Sequence, residues 1–309
     1  MCYNGKKASM MPPETAFRPP LLSDAESVAH CTQNILQSDL SFANIYLLRE
    51  KYGTEIMFHV EHLLRYFGGS ARLQGYAFPA GSGTPDAIES CLNFIENHAK
   101  TQQNELKFCL LNEKEADFLC RRYGKRAQVT TDAGDADYLY LRDDLAFLAG
   151  TKFHKKRTHI SKFEREHPSW SFESLTPANA AEAIKVAEQW LIAQGESPAL
   201  RHEFKAIGTA LEHMEQLKLS GGLLRVEGKA VAFSVVSIIN PLVADIHYEK
   251  CLPEYRDAYP LINRETARML TTQYINREED LNIEGLRKAK LSYHPHTILK
   301  KFNLTVNPC

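Results

Sequence analysis

Hydrophobic positions recur along this chain in two rhythms, period two and period 3.6, and together they predict an α+β (α/β-like) fold. Ile88, Cys91, Leu92 and Ile95 fall at helical spacing within a helix expected from Thr84 to about Ala99. A second helix is expected over Glu113–Tyr123, with Gly124 as its stop. EIMFHVEHLLRYFG and RLQGYAFPAG read as short strands of a meander separated by glycines, and Lys107–Leu111 as another strand. Ser23 and Glu26 form a capping box for a helix running to about Gln37, and Ser38 is a further cap candidate. Later in the chain a strand over Trp170–Leu175 precedes helices at 177–192 and 203–217. Then SGGLLRVEGKAVAFSVVSIIN reads as a hairpin turned at Gly228.

Polar residues break the pattern most strongly between Val243 and Pro295. Strict alternation along Val243–Lys250 places Asp245, His247 and Glu249 on one strand face, where a half-buried strand normally carries apolar residues. A helix follows with Pro260 in its first turn, then a short strand over Tyr274–Arg277 that runs into INREED. EGLRKAKLSYHP reads as one short helix closed before Pro295. Charge gathered at the ends of a strand, a helix and a second strand is how α/β folds place a site.

Length and charge narrow the picture. At 309 residues the chain suits two domains. A net charge of −1 supplies no global attraction to nucleic acid or anionic lipid, so any such attraction is local and peripheral lipid contact is left open. Seven cysteines without metal-type spacing read as reduced thiols of a cytoplasmic protein. No run reaches the roughly 20 apolar residues of a membrane span. The sharpest local asymmetry is KFHKKRTHISKFER, six lysines and arginines against one glutamate. On a helix Lys152, Lys155, Lys156, His159 and Lys162 share an arc of about 120°, with Phe153 and Ile160 on an adjacent face. That arc is either a solvated face or a phosphate-binding patch for a CoA tail or an RNA backbone. Asp132, Asp135 and Asp137 lack the later glutamate of a calcium loop and read as a solvated turn.

His247 and Glu249 are candidate catalytic bases, the imidazole having the more useful pKa, unless with Asp245 they form a polar network tying strand to helix. A metal would need a third ligand, His294 or His296, and none is expected. Arg277, Glu278, Asp280, Arg287, Lys288 and Lys290 form either loop-fixing ion pairs or a recognition site for a zwitterionic or amine substrate. In the second reading Asp280 joins the catalytic group, and the cations meet a phosphate or a developing oxyanion. Tyr293 and His294 would stack on a base or close the pocket, and Asn263 would hydrogen-bond a carbonyl.

HYEK at 247–250, AYPLIN at 258–263, YINREED at 274–280 and EGLRKAKLSYHP at 284–295 resemble a bacterial family of unknown function related to the C-terminal domain of phosphatidylglycerol lysyltransferase. KFHKKRTHISKFE and SDLSFANIYLLREKYG extend the likeness over nearly the whole chain. The resemblance implies two tandem GNAT-like domains, each a mixed central sheet flanked by helices, related also to Fem-type aminoacyl transferases. The expected divisions are a flexible lead-in over 1–16, one domain over 17–150 and a second, site-bearing domain over 151–309. It further implies acyl or aminoacyl transfer to an amine or hydroxyl, with aminoacyl-tRNA as a possible donor and tRNA as a possible partner. Acetyl-CoA suits the chain less well. The turn that would cradle its pyrophosphate, PEYRDAYPLIN, offers Arg256 but has no glycine and carries Asp257. A CoA-dependent N-acyltransferase and a non-catalytic module for RNA or an anionic metabolite stand as the rival readings.

Overall fold

The computed structural model describes residues 16–69, 73–195 and 197–308. All of the expected lead-in except residue 16 lies outside them. Among the described residues the strands are β1 (Thr54–His59), β2 (His62–Phe67), β3 (Gly75–Tyr76), β4 (Ala80–Gly81), β5 (Leu106–Leu111), β6 (Ala127–Thr131), β7 (Asp137–Leu141), β8 (Trp170–Ser174), β9 (Leu219–Val226), β10 (Lys229–Asn240), β11 (Val243–Cys251), β12 (Tyr274–Asn276), β13 (Thr297–Leu299) and β14 (Phe302–Val306). They form two mixed sheets, ordered β1-β2-β3-β5-β14-β6, with β4 beside β2, and β13-β7-β12-β11-β10-β9-β8.

Helices cover both sheets. In the first half they are α1 (Ala25–Cys31), α2 (Phe42–Leu47), α3 (Arg49–Tyr52), α4 (Pro85–Thr101) and α5 (Glu113–Tyr123). Then come α6 (Arg142–Phe147), α7 (His154–Glu166), α8 (Ala180–Gln194), α9 (Pro198–Glu212), α10 (Tyr259–Met269) and α11 (Glu284–Leu291). The periodic segments fold as their pattern dictates. α4 is capped by Thr84, opens on Pro85 and buries Ala87, Cys91, Leu92, Ile95 and Ala99. α5 closes a reciprocal capping box between Asn112 and Glu115. None of the described helices is long and apolar enough to cross a membrane.

Elsewhere the structure departs from the pattern. α1 stops at Cys31, well before Gln37, and the cap of α2 is Ser41 rather than Ser38, which opens a short 3-10 turn. The β1–β2 hairpin turns at Val60 and Glu61, both at positive φ, where no glycine or asparagine announces it.

The chain also changes sheets twice. β7 precedes residue 150 yet lies in the second sheet between β12 and β13, and the last strand, β14, returns to the first sheet between β5 and β6. One buried cation pins both crossings. Lys301, between β13 and β14, reaches Asp137 at the start of β7 (2.5 Å) and Asp39 in the 3-10 turn before α2 (2.6 Å). Asp137 accepts further hydrogen bonds from the Ser38 amide (2.8 Å), the Ser38 hydroxyl and Asn276 (2.9 Å). The expected solvated turn is therefore wrong at Asp135 and Asp137, which are 5% and 0% exposed. Burial of Asp137 is tolerable because Lys301 and three other donors replace the water.

Candidate functional site

β11 and β12 run parallel but pair only over Val243–Asp245 with Tyr274–Asn276. Beyond that point β11 continues to Cys251, while residues 277–278 follow β7, exchanging backbone hydrogen bonds with Tyr138 (3.0 and 3.3 Å). The strands splay apart toward their C-terminal ends, and side chains bridge the gap on both faces.

A β-bulge decides which side chain reaches which face. Val235 pairs with Tyr248 and Val236 with Ile246, which leaves His247 as the extra residue. The expected single face of Asp245, His247 and Glu249 is thereby split. Asp245 and His247 stay together with α2, and Glu249 turns toward α10.

On the α2 side, His247 Nδ1 lies 3.0 Å from Glu278 Oε1 and 3.5 Å from Asp245 Oδ2, and its Nε2 is 2.8 Å from the Ser237 hydroxyl. The Asn44 amide donates to Glu278 (2.9 Å) and Asp245 (3.3 Å). Burial, reinforced by neighbouring Glu278, pushes the Asp245 carboxyl well above the usual carboxylate range. Glu278 takes a left-handed backbone conformation (φ 55°), and its amide donates to Asn276 Oδ1 (2.7 Å).

On the α10 side, Arg277 forms an ion pair with Glu249, which also accepts from Asn263 (2.8 Å). The Arg277 guanidinium sits 4.9 Å from the centre of the Tyr293 ring, and Lys156 of α7 places Nζ 3.7 Å from that centre. Burial, and then the charge of Arg277, push Lys156 down to about 8. Arg277 Nη1 and Asn263 Oδ1 are buried without a hydrogen-bond partner among the described residues. Those two atoms are a donor and an acceptor still available to a ligand.

The α2 side opens on a narrow cleft of about 20 Å³ between the two sheets, lined by Asp39, Asn44, Arg65, Glu278, Glu279 and Lys301 among others. Burial pushes Glu279 up to about 7, against the opposing pull of Lys301.

The candidate residues between His247 and Lys290 fall into three groups. His247 joins Glu278, Glu249 joins Arg277, and Asp280 stands apart in a bidentate pair with Arg287 (2.7 and 2.8 Å), with the Tyr138 hydroxyl at 2.6 Å. Burial raises the Asp280 carboxyl, but the hydrogen bonds from Arg287 and Tyr138 outweigh it and hold it below its ordinary value. Asp280 is fully buried, its carboxylate is saturated by these donors, and it lies apart from His247 and Glu249, the other two residues expected to be catalytic. Lys290 also works on the protein itself, through the carbonyls of Arg277, Glu278 (2.9 Å) and Glu279 (2.8 Å). It ties down the loop that carries Arg277 and Glu278.

Lys288 is exposed and pairs with Glu284, outside the splay. His294 sits at the surface against the Lys152 carbonyl (3.2 Å) and the edge of Phe153. Along the basic helix, Lys152 pairs with Asp144 and Lys162 with Asp257, while Lys155, His159 and Arg256 are exposed. Of the basic residues expected at a phosphate, Lys156 is the one that reaches the splay.

Sequence reasoning passed over Asp39, Asn44, Arg65, Glu279 and Lys301. Asp39 and Asn44 lie in SDLSFANIYLLREKYG, Arg65 and Lys301 in segments with no motif, and Glu279 is one acid in an acidic run.

The family described as "Phosphatidylglycerol lysyltransferase, C-terminal" matches residues 33–305. A conserved protein of unknown function from Bacteroides thetaiotaomicron VPI-5482 is 33% identical, with a TM-score of 0.89 over 94% of this chain and 99% of that one. L-PGS from Bacillus licheniformis is similar at 14% identity, with a TM-score of 0.66 over 96% and 95% of the two chains. FemX is similar at 9% identity, with a TM-score of 0.61 over 95% and 98%. The fold is that of tandem GNAT-like proteins. No curated protein matches the chain.

Proposed function

From the premise that this chain belongs to the phosphatidylglycerol lysyltransferase C-terminal family, we propose that it is a transferase moving an aminoacyl or acyl group from an activated ester to an amine or hydroxyl at the β11–β12 splay. One observation carries the reading. The splay has polar machinery on both faces, Arg277 and Lys156 with Glu249 on the α10 side, and Glu278 and Glu279 with Arg65 and Lys301 on the cleft side.

The donor takes the α10 side. Arg277 Nη1 and Lys156 meet the negative charge that develops on the carbonyl oxygen, in a desolvated setting where such contacts count most. Lys155, His159 and Arg256, exposed on or near the same helix, suit the phosphates of an aminoacyl-tRNA. The turn before α10 suits CoA poorly. It is a 3-10 segment without glycine, and the Tyr259 amide that follows it is already bonded to the Arg256 carbonyl.

The acceptor takes the cleft as a neutral amine or a hydroxyl, donating its N–H or O–H to the Glu279 carboxylate. The attacking atom bonds to the carbonyl carbon, its proton passes to the Glu279 carboxylate, and the ester C–O bond breaks. Lys156, protonated below about 8, returns a proton to the leaving alkoxide. No enzyme-bound acyl intermediate is needed, because both substrates meet at one point. An aminoacyl-tRNA donor places the reaction in the cytoplasm, in keeping with five free cysteines among the described residues.

Thermal-shift measurements test the assignment, because a ligand of the native state raises its melting temperature. A non-hydrolysable aminoacyl-tRNA is expected to stabilise the wild type and to lose that effect in Arg277→Met. Stabilisation by CoA or acyl-CoA with none by the tRNA analogue would overturn the donor assignment and favour the CoA-dependent rival.

A further inference from the structure

We propose that Asp245, His247 and Glu278 form a binding site for one divalent transition-metal ion of the zinc class, behind the cleft wall to which Glu278 belongs. The three residues offer one imidazole nitrogen and two carboxylate oxygens, all within 4.8 Å of one another. Zinc bonds to nitrogen and oxygen of about 2.0–2.2 Å place neighbouring ligand atoms of a tetrahedron roughly 3.3–3.6 Å apart. His247 Nδ1 lies 3.0 Å from Glu278 Oε1 and 3.5 Å from Asp245 Oδ2, so small rotations of side chains already in place meet that geometry.

Two independent features separate this cluster from an ordinary acidic patch. Asp245 is fully buried, and its Oδ1 atom has no hydrogen-bond partner among the described residues. A buried carboxylate oxygen left in that state is costly unless a cation or a proton meets it. The second feature is the outer shell. Ser237 holds the far nitrogen of His247 at 2.8 Å, the kind of contact that fixes the tautomer and orientation of a metal-bound imidazole. With Nε2–H donated to Ser237, Nδ1 presents its lone pair to the two carboxylates, an arrangement that repels unless a cation sits among them. Asn44 and the Asn276–Glu278 turn hold the carboxylates from behind. No lysine or arginine pairs with Asp245 or Glu278 in the described structure, whereas Lys301 and Arg277 neutralise the neighbouring acids.

Three protein ligands leave one tetrahedral position, which is the pattern of a catalytic zinc and not of a closed structural one. The bulge at His247 leaves the imidazole on the same side as Asp245 and turns Glu249 away. The competing arrangement has a proton on Nδ1 donated to Glu278 and no metal. The inference stands on ligand geometry and not on the transferase reading, so zinc binding without transfer, or transfer without zinc, would separate the two.

The experiment is equilibrium dialysis of the full chain against zinc chloride at neutral pH, with cobalt(II) substitution followed by visible absorption. The expected result is one zinc per chain and a tetrahedral cobalt spectrum. Asp245→Asn and His247→Gln should each weaken zinc binding about 100-fold or more while keeping the far-UV circular dichroism of the wild type. His294→Gln and His296→Gln should leave binding unchanged. Should the two ligand variants fail to fold, Ser237→Ala decides, with an expected loss of about tenfold. No zinc bound by the wild type, zinc bound equally by the folded ligand variants or by Ser237→Ala, or a six-coordinate cobalt spectrum would each overturn the proposal. Stabilisation by propylammonium without zinc binding would reassign the cluster to an amine.

Discussion

Lys301→Met removes the one cation that both sheet crossings share, and its cost can be worked from the contacts. The substitution keeps the aliphatic stem, so the loss is mainly electrostatic. Removing one partner of a buried pair costs about 3–5 kcal/mol, because the other charge stays buried. Two carboxylates are exposed to that penalty here, but unequally. Asp137 keeps the Ser38 amide, the Ser38 hydroxyl and the Asn276 amide as donors. Asp39 has no comparable set, and burial already raises its pKa against the pull of Lys301. The expected loss is therefore near the lower bound, about 3 kcal/mol, or on the order of 100-fold in the folding equilibrium.

Urea melts at pH 7 measure it, with Lys301→Met/Asp39→Asn beside the single variant. The double variant should recover much of the stability, since it removes the stranded charge. The sign with pH follows. Without Lys301 the Asp39 carboxyl titrates still higher in the folded state than in the unfolded one. The extra instability is then absent well below pH 4 and grows as pH rises. A loss under about 1 kcal/mol, or strictly additive single and double variants, would refute the claim that this ion pair joins the sheets.

Other expectations follow from the same contacts. The folded Glu279 carboxyl titrates at about 7 against an ordinary 4.5. Its contribution is thus fully present below pH 4.5 and lost as pH rises through 7, and Glu279→Gln should flatten the urea-derived stability slope across that window. If Glu279 receives the proton, the rate of the wild type should also rise through pH 7, and the variant should lack that limb. Lys156→Met should remove an alkaline limb near 8 from the pH–rate profile and lower kcat more than KM. Lys290→Met should let residues 277–279 move, lowering transfer and accelerating hydrogen exchange in that loop. Arg287→Ala should destabilise the fold by stranding buried Asp280, yet leave donor binding by the surviving folded protein intact; loss of binding at unchanged stability would return Asp280 and Arg287 to the site.

The elements of the site are easier to read from sequence than their arrangement. β11, α10, α11 and α7 carry strong local signals, namely alternation, Pro260, a run before Pro295 and inward Phe153 and Ile160. The bulge has none, since Ile246–His247 contains no glycine and its extra residue exists only relative to β10. Alternation therefore placed Glu249 on the wrong face. The two crossings are equally silent, because Lys301 meets Asp137 across 164 residues and no local pattern encodes the pair. Asn44 and Asp39 come from a half of the chain whose own periodicity shows no chemistry. They matter because β7 and β14 bring the halves together.

Transfer itself is the most direct measurement. The chain is incubated with tRNAs bearing radiolabelled amino acids and a panel of amine and hydroxyl acceptors, lipids included, and the label is followed from ester-linked tRNA into product. The account predicts that the wild type moves label to one acceptor class, and that Arg277→Met, folded by circular dichroism, does not. Label leaving tRNA at the same rate with wild type, Arg277→Met and no protein would contradict it.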